Sequence, residues 1–195
     1  QYISRENAIS IITENISNKS IIVSTTGMIS RELYEKRIES KKDRSKDFLT
    51  VGSMGHASQI ALGIAKANPK KNIICLDGDG AVLMHLGGMA TIGTNGIGNF
   101  LHIVLNNGAH DSVGGQPTVA QNISLTLIAK ACGYKYIEGP IKDKNEIVNA
   151  INRFKNISGT CFLEIYVDKG YRKNLGRPKE SPIHNKEIFI RNIRN

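Results

Sequence analysis

Two short polar clusters in this sequence have the residue types of a metal–phosphate site: Asp77-Gly78-Asp79-Gly80 and Asn106-Asn107. Each follows an apolar run, Ile73-Ile74-Cys75-Leu76 and Leu101-His102-Ile103-Val104-Leu105, that reads as a buried strand. The segment between them, Val82 to Asn95, is predicted as a helix. A strand–helix–strand unit makes the two strands parallel neighbours with their carboxyl ends on one edge. Asp79 and the asparagines then meet where open α/β sheets bind ligands. One carboxylate, one amide oxygen and a nearby main-chain carbonyl suit a hard Mg²⁺ ion that keeps positions for phosphate oxygens and water. Gly78 and Gly80 allow a tight turn and close backbone approach, and the helix start from Ala81 supplies amides for phosphate. The pattern reads as a Mg²⁺–diphosphate site.

Neither cluster suffices alone. Asp-Gly-Asp-Gly is more often a surface turn, and Asn-Asn-Gly commonly closes a strand. An EF-hand loop is excluded, because starting it at Asp77 puts Gly88 where the bidentate glutamate belongs. The order strand, Gly-Asp-Gly, helix, strand, Asn-Asn is what carries the reading.

These residues need a scaffold, and 195 residues suit one domain with a sizeable core. A composition 40% hydrophobic and 22% charged is that of a globular chain, and no apolar run is long enough for a bilayer. Cys75, Cys132 and Cys161 lie in apolar surroundings without metal-ligand spacing, and no signal sequence opens the chain, so a cytoplasmic protein is expected. The net charge of +9 is concentrated after Val167 and from Lys36 to Lys46. With aromatics at 6% and no recognition motif, a small anionic substrate fits that charge better than nucleic acid.

Helices are predicted over Ser4–Ser17, Ser30–Glu39, Ala57–Ala67, Leu125–Cys132 and Lys144–Phe154, and strands over Ser20–Ser24, Tyr134–Ile137 and Thr160–Val167. In the third helix Ile60, Ala61, Ile64 and Ala65 form one apolar face. Lys41 to Asp47 reads as a charged, mobile loop, and 168–195 as a basic tail, helical from Asn185 to Ile193. The fold class is α/β, a mostly parallel open sheet with helices on both faces. Thr25-Thr26-Gly27-Met28 ends the first strand with hydroxyls toward the ligand edge. Gly52-Ser53-Met54-Gly55-His56 is a second glycine-rich turn, and Gly108 to Thr118 a polar loop long enough to cover a ligand. Arg31 reads first as a partner of Glu35 one turn on.

Together, Ser24–Tyr34, Val51-Gly52-Ser53-Met54-Gly55-His56-Ala57-Ser58, Leu76–Ala81 and Asn106–Thr118 resemble the thiamine diphosphate-dependent decarboxylases, on the branch that takes phosphonopyruvate or sulfopyruvate. The resemblance spans Ser20 to Val167 and implies a thiamine diphosphate-binding fold. It implies that Mg²⁺ is held by Asp79, the Asn107 side chain and the Ala109 carbonyl, with Asn106 the alternative to Asn107. The cofactor would lie against Thr26, Gly27, Gly78, Asp79, Gly80 and Ala81. Its aminopyrimidine would meet the Gly52 carbonyl, Ser53 and the Met54 amide, with the Met54 side chain as buttress. His110, beside the expected metal, is the candidate catalytic residue, and Ser112, Gln116 and, less directly, Arg31 are candidates for the substrate. Val113 stands where simple pyruvate-type decarboxylases place a glutamate. The glutamate that activates the aminopyrimidine belongs, in this family, to a separate pyrimidine-binding domain, and nothing here resembles it. The chain is therefore expected to be a subunit of a homo- or hetero-oligomer or the C-terminal part of a longer protein; a start at Gln1 favours the latter. Competing readings are a sulfopyruvate decarboxylase β-type subunit, the cofactor subunit of a 2-oxo acid oxidoreductase, and a non-enzymatic phosphate- or nucleotide-binding module.

Overall fold

The computed structural model describes residues 2–193; the outermost ends of the expected domain and tail, residues 1 and 194–195, lie outside the described residues. In chain order the elements begin with strand β1 (Ile3–Ser4), helix α1 (Arg5–Asn15), β2 (Ile21–Ser24), α2 (Met28–Glu39), β3 (Asp47–Leu49) and α3 (Ala57–Ala67). The centre comprises β4 (Ile73–Gly78), α4 (Asp79–Met84), α5 (Gly87–Thr94) and β5 (Asn99–Asn106). The short strands β6 (Ala109–His110) and β7 (Gln116–Pro117) follow, then α6 (Leu125–Ala131), β8 (Tyr136–Ile141), α7 (Lys144–Phe154), β9 (Gly159–Asp168) and α8 (Pro182–Ile193).

The main sheet is parallel throughout, in the order β3-β2-β4-β5-β9, with β8 and β1 paired successively along the outer edge of β9. Its central strands are apolar runs because both faces are covered. On one side α1, α2 and α7 bring Ile9, Ile12, Leu33, Ile147 and Ile151 onto Leu76, Ile103, Leu105 and Leu163. On the other, α3, α5, α6 and α8 bring Ala61, Ala65, Ile92, Leu125 and Phe189 onto Val23, Cys75, Val104 and Phe162. Two cores thus sandwich one sheet, as the α/β reading expects. No helix among the described residues is long and apolar enough to cross a membrane.

The chain runs outward from β2 to β3, then returns to β4 on the other side of β2. That reversal opens a crevice between the carboxyl ends of β2 and β4. The Thr25 and Gly78 turns leave the sheet there.

Several local expectations are corrected. The helix foreseen over Val82–Asn95 is two helices: α4 starts earlier, at Asp79, and ends at Met84, and α5 starts at Gly87. His85 leaves helical geometry at φ −135, ψ 47, its ring bound to the Gly55 carbonyl and stacked on His56, and the Gly87-Gly88 pair has little helix propensity with which to resist. In α3 the expected Ala61 and Ala65 are buried and Ile64 is partly so, but Ile60 is 36% exposed, and Ala57 and Leu62 complete the buried face. β1 and β3 were too short to show periodicity, β8 lies further along than Tyr134–Ile137, and α8 begins at Pro182 rather than Asn185. The charged segment before β3 is also tied down. Arg37 Nε and Nη2 donate to Asp47 at 2.8 and 3.0 Å, both residues buried, and Arg44 pairs with Glu180.

Little water reaches the pair, and burial pushes the Asp47 carboxyl up to about 6 despite Arg37. Removing one partner strands the other. Asp47→Ala should therefore lower the unfolding free energy by about 3 kcal/mol, whereas the double change Arg37→Met with Asp47→Leu should cost much less. Urea denaturation of the three proteins checks this.

Candidate functional site

A cleft of about 430 Å³ opens at the crevice. The turn after β2 contributes Thr25 and Thr26, and the junction of β4 with α4 contributes Gly78, Asp79, Gly80 and Ala81. The loop after β5 adds Asn107, Ala109, His110 and Ser112, and the glycine-rich turn before α3 adds Met54. The topology thus gathers most of the sequence-derived site residues on one wall.

Asp79 is 2% exposed and accepts a hydrogen bond from the Thr118 hydroxyl. Burial raises its pKa, while Thr118 and the main-chain amides of Asn107 and Gly80 pull it down. The two asparagines have different tasks. Asn106, fully buried, donates to Glu164 Oε1 at 2.8 Å and accepts from the Gly108 amide at 3.0 Å. Asn107 faces the cleft, donating to Asp111 Oδ2 at 2.7 Å while its Oδ1 accepts from the Ala109 amide at 3.1 Å. Asp111 also accepts from Arg5 Nη1 at 2.7 Å, and Arg5 forks onto Glu32 at 2.8 and 2.9 Å. This ties the asparagine's loop to α1 and α2.

The His110 ring lies over Gly80: a Cβ built on Gly80 would sit 2.6 Å from Nδ1. Only glycine leaves that space. In the second turn Ser53 adopts φ +47, and a Cβ at Gly55 would meet the Ala81 carbonyl at 2.8 Å. The Gly52 amide donates to Thr26 Oγ1 at 3.0 Å, joining this turn to the β2 turn.

Some expected residues lie elsewhere. Gly52 and Ser53 are exposed beside the cleft without forming its wall, and Gln116 is exposed on β7, paired in register with His110. Gly27 and Arg31 line a neighbouring cavity. Arg31 does not pair with Glu35. It donates to the carbonyls of Leu175 and Gly176, while Glu35 takes Arg172 and the Gly176 amide, because the tail folds across α2.

Beneath the site, Asp77 is fully buried, accepting from the Gly78 amide at 3.0 Å and meeting His102 Nε2 at 3.2 Å. His102 Nδ1 meets the Tyr134 hydroxyl at 2.9 Å. Cys75 completes a buried Cys–Asp–His group whose imidazole nitrogens are both engaged. Sequence reasoning missed this chain, Thr118 and the Arg5–Glu32–Asp111 network. Partners so far apart in sequence leave no local pattern.

The sequence profile of the family "Thiamine pyrophosphate enzyme, C-terminal TPP binding domain" matches residues 26–165. The chain belongs to this family. It is 37% identical over 175 residues to phosphonopyruvate decarboxylase of Streptomyces viridochromogenes, covering 90% of this chain and 42% of that protein. It is 41% identical over 157 residues to sulfopyruvate decarboxylase subunit beta of Methanocaldococcus jannaschii, covering 79% of this chain and 80% of that subunit. Among solved structures, a Mycobacterium smegmatis protein thought to be thiamin diphosphate-dependent superimposes with a TM-score of 0.71 at 14% identity, over 86% of this chain and 32% of that one. The chain thus spans about two fifths of the phosphonopyruvate decarboxylase it matches.

The family's cofactor is thiamine diphosphate with Mg²⁺, and the cleft fits a polyanion bound through a cation. Of the two carboxylates lining it, Asp111 is paired with Arg5, and Asp79 has no ion-pair partner among the described residues. Among the described residues Thr25 Oγ1 is the one buried side-chain polar atom left without a partner, and it belongs to a cleft-lining residue. A cation beside Asp79 and an oxygen-rich ligand beside Thr25 would answer the two.

Removing the carboxylate should leave the diphosphate without its bridging ion. Asp79→Ala should abolish Mg²⁺-dependent thiamine diphosphate binding in the assembled enzyme, and Asn107→Ala should come close. Asn106→Ala should weaken it less. Calorimetric titration of the three variants checks the ranking; unchanged affinity in Asp79→Ala would refute the site.

Proposed function

We propose that this chain is the diphosphate-binding half of a carboxy-lyase, working in the cytoplasm, that converts phosphonopyruvate to phosphonoacetaldehyde and CO₂. The reading is supported chiefly by Asp79, Asn107 and Ala109 sharing one cleft in a chain that matches a phosphonopyruvate decarboxylase over 90% of its length. Asp79, the Asn107 amide oxygen and the Ala109 carbonyl would hold Mg²⁺, and Thr25, Thr26 and the amides of Gly80 and Ala81 would face the diphosphate. The Gly52 carbonyl and Met54 amide would hold the aminopyrimidine, with the Met54 thioether as its buttress. Bound there, the cofactor supplies a carbon nucleophile and an electron sink for decarboxylation. His110 would hold an imidazole N–H toward the cleft and stabilise negative charge developing on the substrate's carbonyl oxygen.

The glutamate that activates the aminopyrimidine must come from a pyrimidine-binding domain or subunit packed across the cleft. Val51, Val113 and Val119, which are 72%, 68% and 60% exposed, give the surroundings of the cleft the apolar character such a partner would cover. A second reading, a sulfopyruvate decarboxylase β-type subunit, is favoured by the match to 80% of the M. jannaschii subunit. The two share every residue role above and differ in the distal acid of the substrate.

The isolated 195-residue chain, supplied with thiamine diphosphate and Mg²⁺, should release no CO₂ from phosphonopyruvate, sulfopyruvate or pyruvate; adding the pyrimidine-binding partner should restore turnover. Activity of the chain alone would contradict the division of labour, and preference for sulfopyruvate would select the second reading. In the assembly, His110→Ala should lower kcat about a hundredfold with cofactor affinity nearly intact. A wild-type rate in that variant would remove His110 from the chemistry.

A further inference from the structure

The tail after β9 has a task that its composition does not show. It crosses α2 and reaches a cavity beside the cleft, and its backbone is fixed on the way. The Gly176 amide donates to Glu35 Oε1 at 2.7 Å, and the Gly176 carbonyl accepts from Arg31 Nε at 2.6 Å. Three residues on, the Lys179 amide donates to the Tyr34 hydroxyl at 3.2 Å, and Pro178 stiffens the chain between. Arg177 stands in the middle of this clamped segment. Its guanidinium has no hydrogen-bond or ion-pair partner among the described residues, although neighbouring Arg172 and Arg44 are both paired with carboxylates. Arg177 is exposed, and its anchored backbone presents an uncommitted guanidinium to the cavity beside it.

Arg177 lines an open cavity of about 920 Å³ together with Thr26, Arg31 and Ser112. Thr26, Met28 and Ser112 also line the cofactor cleft, so the two spaces share a wall. The Thr26 oxygen already accepts from the Gly52 amide, which leaves its proton to donate. Arg31 adds a second positive charge there without a carboxylate partner, its donors spent on the tail carbonyls. The one carboxylate lining the cavity, Glu180, is neutralised by Arg44. The balance is cationic, the free donors are a planar fork and hydroxyls, and the cavity borders the cofactor cleft at Thr26, Met28 and Ser112.

We propose that Arg177, with the Thr26 and Ser112 hydroxyls, forms the subsite for the tetrahedral oxyanion at the far end of the substrate. This rests on the decarboxylase reading, in which that acid lies one methylene from the 2-oxo carbon. The guanidinium fork matches two oxygens of a phosphonate or sulfonate, and a planar carboxylate offers it less.

Methylphosphonate carries the distal group without the 2-oxo acid, so it probes this subsite separately from the chemistry. It should shift the Arg177 side-chain resonance of the 195-residue chain in NMR titrations without cofactor, and acetate should bind more weakly. Arg177→Gln should weaken methylphosphonate binding about tenfold or more, the loss of a charge-assisted hydrogen bond. Arg177→Lys should recover part of it, and Arg153→Gln, at an exposed arginine paired with Glu138, should change nothing. The affinity for thiamine diphosphate with Mg²⁺ should be the same in wild type and Arg177→Gln. Equal methylphosphonate binding in wild type and Arg177→Gln, or none in either, overturns the subsite while leaving the cofactor site standing. Loss of cofactor binding in the wild-type chain and its assembly would instead overturn the function on which the subsite rests.

Discussion

A carboxylate taken almost wholly out of water needs a positive neighbour, and Asp79 has none among the described residues. The nearest hydrogen-bonding group on it is the Thr118 hydroxyl. Burial pushes its pKa upward, so the fold holds the ionised form at a cost. The guanidinium that does reach the cleft, Arg5, is committed to Glu32 and Asp111. A divalent cation bound there would relieve this imbalance and would bring charge to which a diphosphate can bind. Much of the local architecture serves to keep Asp79 in that position.

The support comes from layers that each meet their own physical demand. Asp77 spends its two oxygens on the Gly78 amide and His102, which fixes the turn that presents Asp79. Asn106 is anchored between Glu164 and the Gly108 amide, so the following residue is aimed at the cleft. Burial raises the Glu164 carboxyl, with the Asp79 charge adding to it and Asn106 opposing. Asp111 joins Asn107, Arg5 and the Gly170 amide, bringing the loop, the first helix and the tail to one point. These groups are buried polar atoms with partners, and a change to one is expected to be felt by the next.

What could be read from the sequence follows from the range of each interaction. The central strands, the turn at Gly78, Asp79 and the asparagine pair are local patterns on one edge, so spacing exposes them, whereas the choice of Asn107, Ala109 and His110 comes only with the family resemblance. The break at His85 depends on the Gly55 carbonyl and the His56 ring, thirty and twenty-nine residues away, and no local period reports it. Strand β3 is three residues long behind a charged run, and Asp47 within it is buried only because Arg37 faces it. Arg31 and Glu35 have the spacing of a helical ion pair, yet the tail takes both. Arg177 shows the same limit from the other side: it is one basic residue among many until the fold places it on a cavity wall.

The most direct test of the account is where the cation sits. Crystals of the assembled enzyme grown with thiamine diphosphate and Mn²⁺ in place of Mg²⁺ would locate the metal by its anomalous signal. The account places it between Asp79, the Asn107 amide oxygen and the Ala109 carbonyl, in contact with the diphosphate. A metal on the buried Cys75–Asp77–His102 group instead, or a diphosphate held without a cation beside Asp79, would contradict it.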